Sequence, residues 1–389
     1  MNNKKVLFTS ESVSEGHPDK VCDQIADSIL DDILKHDPNA HVAVEVFATT
    51  EFVVIGGEVH SYYHAPYEAI ARDVLRKIGY TSAEIGIGAD TCEIEVRVKD
   101  QSGDICQGIE RNDPLEMGAG DQGIMFGFAS NESEGYMPLA ITMAHKLVRL
   151  ASSLRKEGKF KGSRPDMKSQ VTIDYTDPEH PIVDTILMSC QHDENVDLAA
   201  FKEFIHDEIM VPVAHSFKMN EDFKYLINPT GRFVKGGPDG DTGLTGRKLI
   251  VDTYGGSARH GGGAFSGKDP SKVDRSASYY ARYIAKNLVA SGAADKLEVQ
   301  LSYAIGVAKP LSIGVNTFGT EKVSKEKILE AIDKFFDARP GAIIKAFSLR
   351  NPSFSYADLC NYGAFGRPDL DLPWEKLDKV AALKDFFGL

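Results

Sequence analysis

Hydrophobic residues recur at intervals of three and four positions in the stretch that follows Pro18. Val21, Ile25 and Ile29 fall on one face of a helix with this spacing, so the pattern predicts an amphipathic helix. Pro18 suits the first position of that helix, where its missing N–H carries no penalty. The elements predicted next are strands at 41–48 and 51–60 and a second amphipathic helix at about 66–78.

The same order of helix, strand, strand and helix is predicted twice more along the chain. The second set is a helix near 138–156, strands near 169–176 and 182–190, and a helix near 197–210. The third set is a helix near 270–291, strands near 297–305 and 311–317, and a helix near 324–337. Three units of one pattern predict an α+β fold of three similar domains around a pseudo-threefold axis. Chance recurrence of common elements is the alternative.

Residues 102–123 are rich in Gly, Asp and Pro and show no apolar period. A loop of this length inside a compact chain is unusual unless it has a function. A mobile lid over a site and a plain surface loop both remain open as interpretations. In chain order, we expect domains at 1–104, 118–232 and 233–389, with a mobile active-site loop at 102–117.

The composition limits the possible partners and location of the protein. Its 389 residues, 42% hydrophobic and 26% charged, suffice for two or three domains with substantial cores. The formal net charge of −13 argues against nucleic acid and anionic membranes as general partners. We recognise no signal-peptide pattern and no apolar run of transmembrane length, so we expect neither a secreted nor a membrane-spanning chain. Its five cysteines form no C-x-x-C pair, so we expect reduced thiols and a cytoplasmic location.

A glycine-rich segment carries the strongest chemical signal in the chain. Six glycines lie within 255–267, and charged residues follow them directly. Glycine allows backbone N–H groups to converge on one anion, and Asp269 with Pro270 predicts a helix start, which also favours anions. Because the surrounding stretch 235–275 is locally basic, the pattern predicts a polyphosphate cradle. The charged residues that follow the glycines are Lys268, Lys272 and Asp274.

Two other interpretations of this segment remain open. Residues 262–268 fit the first seven positions of the Walker A loop of P-loop nucleotide triphosphatases, but Asp269 stands where Ser or Thr should bind Mg²⁺. A flexible surface loop is also compatible with so many glycines.

Polar and ionisable residues concentrate at three other places. We expect His17, held before a proline at a helix start, to point outward and contact a ligand or phosphate, although an exposed capping histidine is the alternative. The helix dipole alone explains Asp19, and Lys168 opens a predicted strand.

The run 228–248 combines an aromatic ring, carboxylates and an Arg-Lys pair. Such groups can stack on a purine, accept ribose hydrogens and neutralise phosphate.

Three motifs resemble those of the S-adenosylmethionine synthetase (methionine adenosyltransferase) family. They are Gly16-His17-Pro18-Asp19-Lys20, Gly118-Ala119-Gly120-Asp121-Gln122-Gly123 and Gly261-Gly262-Gly263-Ala264-Phe265-Ser266-Gly267-Lys268-Asp269. The resemblance covers essentially the whole chain. It implies three similar, interleaved domains with pseudo-threefold symmetry, and a homodimer or dimer of dimers with active sites at the interface between two chains. It also implies dependence on Mg²⁺, with two ions per active site, and on K⁺.

The resemblance further implies roles for individual residues. The ATP site would comprise His17, Asp166, Lys168, Arg232, Phe233, Asp241, Arg247, Lys248, Ala264 and Lys268. The L-methionine site would comprise Glu58, Gln101, Asp241 and Lys272. Mg²⁺ would be bound by Asp19, Asp274 and Glu11, and K⁺ by Glu45. The catalytic residues would be His17, Lys168, Asp121, Arg247 and Lys268, and 102–112 would form the lid.

The implied reaction is attack of the methionine sulfur on C5′ of ATP, which releases triphosphate that is then cleaved to phosphate and pyrophosphate. A thioether carries no proton, so the reaction needs no general base, and the sequence shows no Ser-His-Asp or Cys-His arrangement. Cationic groups would stabilise the departing triphosphate, and Asp121 would stabilise the sulfonium. A P-loop triphosphatase and a non-catalytic adenine-nucleotide sensor remain the alternative functions.

Overall fold

The structure is a computed structural model that describes residues 4–100 and 113–389. Its helices are α1 (Pro18–His36), α2 (Tyr67–Ile78), α3 (Leu139–Lys156), α4 (Leu198–Ile205), α5 (Val211–Ser216), α6 (Leu249–Asp252), α7 (Val273–Ala290), α8 (Lys325–Phe335), α9 (Pro340–Phe347) and α10 (Val380–Phe387). Its strands are β1 (Leu7–Val13), β2 (His41–Thr49), β3 (Phe52–His60), β4 (Thr81–Ser82), β5 (Ile87–Gly88), β6 (Glu93–Asp100), β7 (Gly123–Ser130), β8 (Ser163–Asp174), β9 (Ile182–His192), β10 (Lys224–Ile227), β11 (Gly243–Leu244), β12 (Lys296–Tyr303) and β13 (Ser312–Asn316). A π-helical turn, His206–Met210, joins α4 to α5.

The observed elements confirm most of those predicted from hydrophobic periodicity. Helix α1 begins at Pro18 as expected, and β2, β3 and α2 follow in the predicted order. The third unit contains one error, because α7 begins at Val273 and not at 270. Asp269 does not cap this helix, since its carboxylate instead accepts the N–H groups of Val42 and Ser271.

Three larger sheets organise the chain, and each has a long helix packed on it. The first has the strand order β1-β8-β9-β10 and carries α3, the second has the order β11-β2-β3-β6 and carries α1, and the third has the order β13-β12-β7 and carries α7. Most strand pairs are antiparallel. The architecture is therefore α+β, as predicted.

Each large sheet includes a strand from a different third of the chain. Strand β1 pairs with β8, with Val13 opposite Lys168. Strand β7 pairs with β12, and β11 extends the sheet of β2, with Leu244 opposite Phe47. The three units are thus interleaved, whereas the chain-order boundaries at 1–104, 118–232 and 233–389 stay a prediction.

Along β2, successive side chains alternate between a buried face and an exposed face of the β2–β3 sheet. Val42, Val44 and Val46 of β2 are buried in the larger core, whereas Glu45 and Phe47 are exposed. Among the described residues, no helix has both the length and the apolar composition needed to cross a bilayer.

The cysteines of the described ranges are buried and form no disulfide with one another. They are Cys22, Cys92, Cys190 and Cys360.

Candidate active site

His17 is the last residue of the loop between β1 and α1. Its side chain is only 3% exposed, and its Nδ1 accepts the backbone N–H of Asp19 at 3.2 Å. The expectation that this ring points outward is therefore wrong, because the ring is buried and caps the helix. Since Nδ1 acts as an acceptor, the proton of the neutral ring lies on Nε2, which is the nitrogen that can donate to a ligand.

Asp19, in the first turn of α1, ties the helix to the segment that contains Arg247 and Lys248. Its buried carboxylate accepts the N–H of Leu244 at 3.0 Å. The same carboxylate lies 3.2 Å from Arg247 Nε and 2.5 Å from Lys248 Nζ. The helix start and the Arg-Lys pair, which are far apart in sequence, therefore meet at one place.

Lys168, which lies on β8 of the first sheet, adds a further positive charge to this group. It is exposed on β8, opposite Val13 at the end of β1. Burial lowers the pKa of His17 to about 2, together with the positive charges of Lys248, Lys168, Lys20 and Arg247. The imidazole is thus neutral at physiological pH, and cations surround it. We call His17, Asp19, Lys168, Arg247 and Lys248 the His17 cluster.

Asp166 lies two residues before Lys168 on β8 and is buried at the edge of the His17 cluster. Its Oδ2 accepts the N–H of Gly237 at 2.9 Å, and its Oδ1 has no hydrogen-bond partner among the described residues. Burial raises the pKa of Asp166 to about 6, although the Gly237 N–H and Lys168 oppose this shift. An unpaired buried carboxylate oxygen beside a cluster of cations can accept a hydrogen bond from a ligand.

Replacing Asp166 with Asn should remove part of the pH dependence of folding stability. The folded pKa of about 6 lies above the ordinary value of 3.8, so the folded state binds this proton more tightly. The resulting stabilisation is complete below pH 3.8 and is lost as the pH rises through 6. Urea unfolding between pH 4 and pH 7 should therefore show wild type losing up to about 3 kcal/mol relative to Asp166→Asn.

The exposed Asp385→Asn variant serves as the control for this measurement. It should keep the wild-type dependence of unfolding free energy on pH. Equal dependence in wild type and Asp166→Asn would contradict the assignment of a raised pKa to Asp166.

A second group of predicted residues lies on the glycine-rich segment, residues 261–274, which we call the Lys268 loop. Lys268 Nζ lies 2.7 Å from Asp274 Oδ2, and Lys272 Nζ lies 2.7 Å from Asp269 Oδ2. Gly267 has φ +77°, and a Cβ at this position would lie 1.9 Å from the carbonyl oxygen of Val44. Glycine is required here because the loop runs directly against β2.

Backbone N–H groups of the Lys268 loop mostly bind acceptors within the protein. Gly262 donates to His260 Nδ1 at 2.8 Å, Gly267 donates to Asp27 Oδ1 at 2.7 Å, and Lys268 donates to the carbonyl of Phe265 at 3.3 Å. These amides do not converge on an external anion, so the predicted backbone cradle is wrong for them. These three amides are therefore not donors to a bound anion.

Basic residues of the segment 235–275 are paired with carboxylates throughout. The pairs are Lys235 with Asp239, Arg247 and Lys248 with Asp19, Arg259 with Glu298, Lys268 with Asp274, Lys272 with Asp269, and Arg275 with Asp27. Arg275 is 1% exposed, so it belongs to the core and not to a ligand site. A polyanion that binds the others must compete with these internal acids.

Glu58, one of the predicted methionine residues, and Glu45, the predicted potassium residue, lie on the exposed face of the β2–β3 sheet. Residue 268 pairs with Ala43 of β2, and Glu58 of β3 lies opposite Ala43 on its other side. Residues in one cross-strand row project to the same face, so Lys268 and Glu58 share a face. Glu45, two positions along β2, projects to that face as well. The predicted Gln101 lies outside the described residues, as do residues 102–112 of the predicted lid.

The two groups follow the same edge of β2. Leu244, near the His17 cluster, lies opposite Phe47, and Lys268 lies opposite Ala43. Four residues of strand separate these positions by about 13 Å. The single chain therefore brings His17, Lys168 and Arg247 together, and it places Lys268 in a separate group.

The remaining predicted residues lie around these two groups. Ala264 contacts Gly246, since a Cβ on residue 246 would lie 2.6 Å from the Ala264 Cβ. Asp121 is exposed, and it lies two residues before Gly123, which packs near the carboxylate of Asp274.

Arg232, Phe233 and Glu11 are predicted site residues that lie on or beside the first sheet. A fourth, Asp241, is close to Asp166. The Phe233 amide donates to His192 Nε2 at 2.9 Å, and Arg232 donates to the carbonyl of Glu194 at 2.9 Å. Glu11 of β1 is exposed on the face that carries Lys168. The carboxylate of Asp241 raises the pKa of Asp166, which indicates that these two acids are close together.

The predicted magnesium ligands are distributed over different elements. Asp19 belongs to the His17 cluster, Asp274 to the Lys268 loop, and Glu11 to β1. Within residues 4–100 and 113–389, no three side chains of His, Cys, Asp or Glu are grouped closely enough to hold a metal. The binding of Mg²⁺ by these three carboxylates stays a prediction.

Comparison with known protein families defines the class of this fold and site. Models of the N-terminal, central and C-terminal domains of S-adenosylmethionine synthetase match residues 5–103, 116–233 and 235–376. The chain therefore belongs to the S-adenosylmethionine synthetase family.

Curated relatives extend over nearly the whole chain. The S-adenosylmethionine synthase of Mesoplasma florum is 63% identical over 378 residues, which cover 97% of this chain and 99% of that protein. The S-adenosylmethionine synthase of Mycoplasma mycoides is 59% identical over 99% of this chain and 98% of its own length. That of Clostridium botulinum is 52% identical over 98% of this chain and 100% of its own length.

The family match and the fold both exclude the alternative that the chain is a P-loop triphosphatase. A P-loop follows a strand and leads directly into a helix, whereas residues 262–268 follow turns and pair with the edge of β2 before α7 begins at Val273. The Walker A interpretation is therefore wrong.

Proposed function

We infer that the chain synthesises S-adenosylmethionine from ATP and L-methionine as a methionine adenosyltransferase. Family membership supports this activity, and one structural observation carries the assignment of the site. A buried, neutral His17 is surrounded by Lys168, Arg247 and Lys248 at the junction of three segments. This arrangement suits a polyanionic leaving group, because preorganised cations and N–H donors stabilise charge that develops in the transition state.

In the proposed mechanism, the sulfur of methionine forms a bond to C5′ of ATP while the bond from C5′ to the triphosphate oxygen breaks. The electron pair of that bond leaves with the triphosphate, and the sulfur becomes a sulfonium. No proton moves in this step, so no general base takes part. His17 Nε2–H donates to the leaving oxygen, and Lys168, Arg247 and Lys248 compensate the negative charge. The triphosphate is then hydrolysed to phosphate and pyrophosphate.

We propose that the remaining site residues act on the adenosine and methionine groups. Asp166, with its unpaired Oδ1, accepts a hydrogen from the nucleotide, and Phe233, Arg232 and Ala264 border the adenosine. Methionine is held by Glu58, Asp241, Lys272 and Gln101. Asp121 lies beside the sulfur, where a carboxylate stabilises the positive charge of the product.

The donor set suits the two cations that the family resemblance implies. Carboxylate oxygens are the ligands that Mg²⁺ prefers, and Asp19 and Asp274, with Glu11, would hold two Mg²⁺ ions with the phosphate oxygens of ATP. Glu45, exposed on the β2–β3 sheet, would bind K⁺. When bound, Mg²⁺ supplies positive charge to the triphosphate. Asp19 is buried between Arg247 and Lys248, so the protein itself orients this carboxylate.

We further propose that the active form is a homodimer, or a dimer of dimers, with each site shared between two chains. On β2, the positions opposite Leu244 and Lys268 are four residues, about 13 Å, apart. This separation favours pairing the Lys268 side chain of one chain with the His17 cluster of a second chain. The exposed sheet face that carries Glu45, Phe47 and Glu58 is a suitable surface for that contact.

Mixing two inactive variants should restore activity if the site is shared. Refolding His17→Asn together with Lys268→Met should recover about a quarter of wild-type activity, because half of the dimers are mixed and one site of each mixed dimer is intact. The control mixture is His17→Asn with Arg247→Met, both in the His17 cluster, and it should recover none. Absence of recovery in the first mixture would exclude a site shared in this way.

One assay distinguishes this function from the alternatives. The protein is incubated with ATP, Mg²⁺ and K⁺, with and without methionine, and the products are separated. Methionine-dependent release of phosphate and pyrophosphate with a sulfonium product supports the proposed activity. Formation of ADP without methionine would indicate a triphosphatase, and binding of ATP without turnover would indicate a nucleotide sensor.

A further inference from the structure

Tyr80, which lies between the end of α2 and the short strand β4, is a buried tyrosine that the proposed mechanism does not use. Its side chain is completely buried. Burial raises the pKa of its hydroxyl well above the usual value, and the charge of Asp166 acts in the same direction. The hydroxyl is therefore protonated at physiological pH and can donate a hydrogen bond.

The hydroxyl of Tyr80 donates to the backbone carbonyl of Gly16, the residue directly before His17. This carbonyl and the backbone N–H of His17 belong to one peptide group. The N–H of the same group donates to the carbonyl of Ser14 at 3.1 Å. Because a peptide group is planar, hydrogen bonds at both of its ends fix its orientation, and with it the position of the His17 Cα.

The imidazole of His17 has one further anchor, since its Nδ1 accepts the backbone N–H of Asp19 at 3.2 Å. The peptide group sets where the side chain starts, and the contact of Nδ1 sets the rotation of the ring. Together these contacts define the position of Nε2, the ring nitrogen that can donate to a ligand.

The ring of Tyr80 packs against a second part of the site, the turn Gly237–Asp239. A Cβ on Gly237 would lie 2.5 Å from the Tyr80 oxygen, and φ at Gly237 is +64°, so this contact requires glycine. The amide of Gly237 donates to Asp166 Oδ2 at 2.9 Å. Tyr80 thus lies between the backbone that precedes His17 and the backbone that binds Asp166.

We propose that Tyr80 is a positioning residue for catalysis, whose hydroxyl holds the peptide group that orients the imidazole of His17. The proposal rests on the proposed function, since it assumes that His17 Nε2–H donates to the leaving oxygen. It does not depend on how two chains share the site, because Tyr80, Gly16 and His17 belong to one chain and to one half of the site.

The first test removes the hydroxyl and keeps the ring. In Tyr80→Phe the carbonyl of Gly16 loses this donor, so the peptide group can rotate and shift Nε2 of His17. Misplacement of a catalytic group by about 1 Å costs on the order of 100-fold in rate. We therefore expect kcat, measured as single-turnover formation of the sulfonium product, to fall by about 10- to 100-fold.

A double-mutant cycle shows whether this loss passes through His17. Residues that act as one unit have effects that do not add. Tyr80→Phe should lower kcat in the wild-type background and leave it unchanged in the His17→Asn background, where the donor has already been removed. An equal fall in both backgrounds would overturn the proposal, since the hydroxyl would then act on a group other than His17.

Tyr356→Phe is the matched control. Tyr356 is also completely buried, and its hydroxyl donates to the backbone carbonyl of Leu349 at 2.7 Å. The substitution removes the same kind of hydrogen bond from a carbonyl outside the proposed site. It should lower the midpoint of urea unfolding much as Tyr80→Phe does, but keep the wild-type kcat. An equal fall of kcat in Tyr356→Phe would assign the effect to lost stability and overturn the proposal.

Nuclear magnetic resonance of the imidazole nitrogens gives a readout that does not depend on activity. The protein is labelled with ¹⁵N-histidine, and the signals of His17 are identified by their absence in His17→Asn. In wild type we expect a single tautomer with the proton on Nε2, because Nδ1 accepts the N–H of Asp19. In Tyr80→Phe the tautomer with the proton on Nδ1 should also be populated. Unchanged imidazole signals in this variant would contradict the positioning role.

Hydrogen exchange of the wild-type protein tests the proposal without any variant. The amide of His17 should exchange slowly in the free protein, since its peptide group is buried and hydrogen-bonded at both ends. Rapid exchange of this amide would overturn the proposal even if Tyr80→Phe failed to fold.

Failure of the proposed function has a different signature. In that case wild type forms no sulfonium product, while the slow exchange of the His17 amide and the change of tautomer in Tyr80→Phe persist. Normal turnover of wild type, with unchanged kcat and unchanged imidazole signals in Tyr80→Phe, would reject the positioning role alone.

Discussion

Replacing Lys168 with methionine should lower kcat by about 10²–10³, the usual cost of removing one preorganised group that stabilises developing charge. Methionine has a similar length and no charge, so the strand β8 keeps its shape while the cationic group beside His17 is lost. The measurement is single-turnover formation of the sulfonium product at saturating ATP and methionine. KM for methionine should change little, because the substitution acts on the leaving triphosphate.

Two further lysine variants make this result interpretable. Lys161→Met changes an exposed lysine just before β8 and should keep wild-type kcat. Lys168→Arg keeps the positive charge at a different geometry and should recover part of the activity. An unchanged single-turnover rate in Lys168→Met would reject the assignment of charge stabilisation to this residue.

Replacing His17 with asparagine should reduce kcat by a similar factor, about 10²–10³, while the protein remains folded. Asparagine is a favourable N-cap residue, so it can replace the contact that His17 Nδ1 makes with the N–H of Asp19. Its amide is too short to reach the position of Nε2, from which the imidazole donates to the leaving oxygen. Folding and catalysis are thereby separated in one substitution.

The comparison variant is His17→Ala, which removes both the cap and the donor. Its free energy of unfolding should fall by about 0.5–2 kcal/mol relative to His17→Asn, but its kcat should match that of the Asn variant. A kcat for His17→Asn close to that of wild type would show that the ring acts only as a helix cap. Circular dichroism and urea unfolding of both variants establish how much of each effect is structural.

Local sequence patterns were sufficient for the elements whose partners are close in the chain. Helix α1 and the hairpin of β2 and β3 were predicted because hydrophobic periodicity and a proline at the helix start are local signals. The start of α7 was predicted wrongly. Asp269 resembles a helix cap in sequence, but a long-range contact with the Val42 amide uses its carboxylate instead.

Strands β8 and β12 were predicted, but their long-range partners β1 and β7 were not. Strand β1 lies in a polar stretch, and its pairing with β8 depends on residues more than 150 positions away. Strand β7 likewise finds its partner β12 in the last third of the chain. No periodicity within a short window carries such information, and the interleaving of the units was available only through the family resemblance.

The site shows the same division between local and long-range information. The motif around His17 and the Arg-Lys pair were recognisable, and the structure brings them together through Asp19. The contacts of Asp23 with the Gly246 amide and of Asp27 with the Gly267 amide were not predicted, although aspartates at four-residue intervals in this amphipathic helix were a visible signal. Burial of that face, and the amides that it binds, depend on the packing of the complete chain.

The late partner of β1 has a consequence for the newly made chain on the ribosome. Val13 is synthesised more than 150 residues before Lys168, the residue opposite it, and translation at about 5–20 residues per second leaves this edge unpaired for on the order of ten to thirty seconds. An uncovered strand edge is prone to association with other chains. The nascent protein should therefore depend on chaperones, and a fragment such as 116–233 made alone should aggregate because it lacks the N-terminal strand that covers β8.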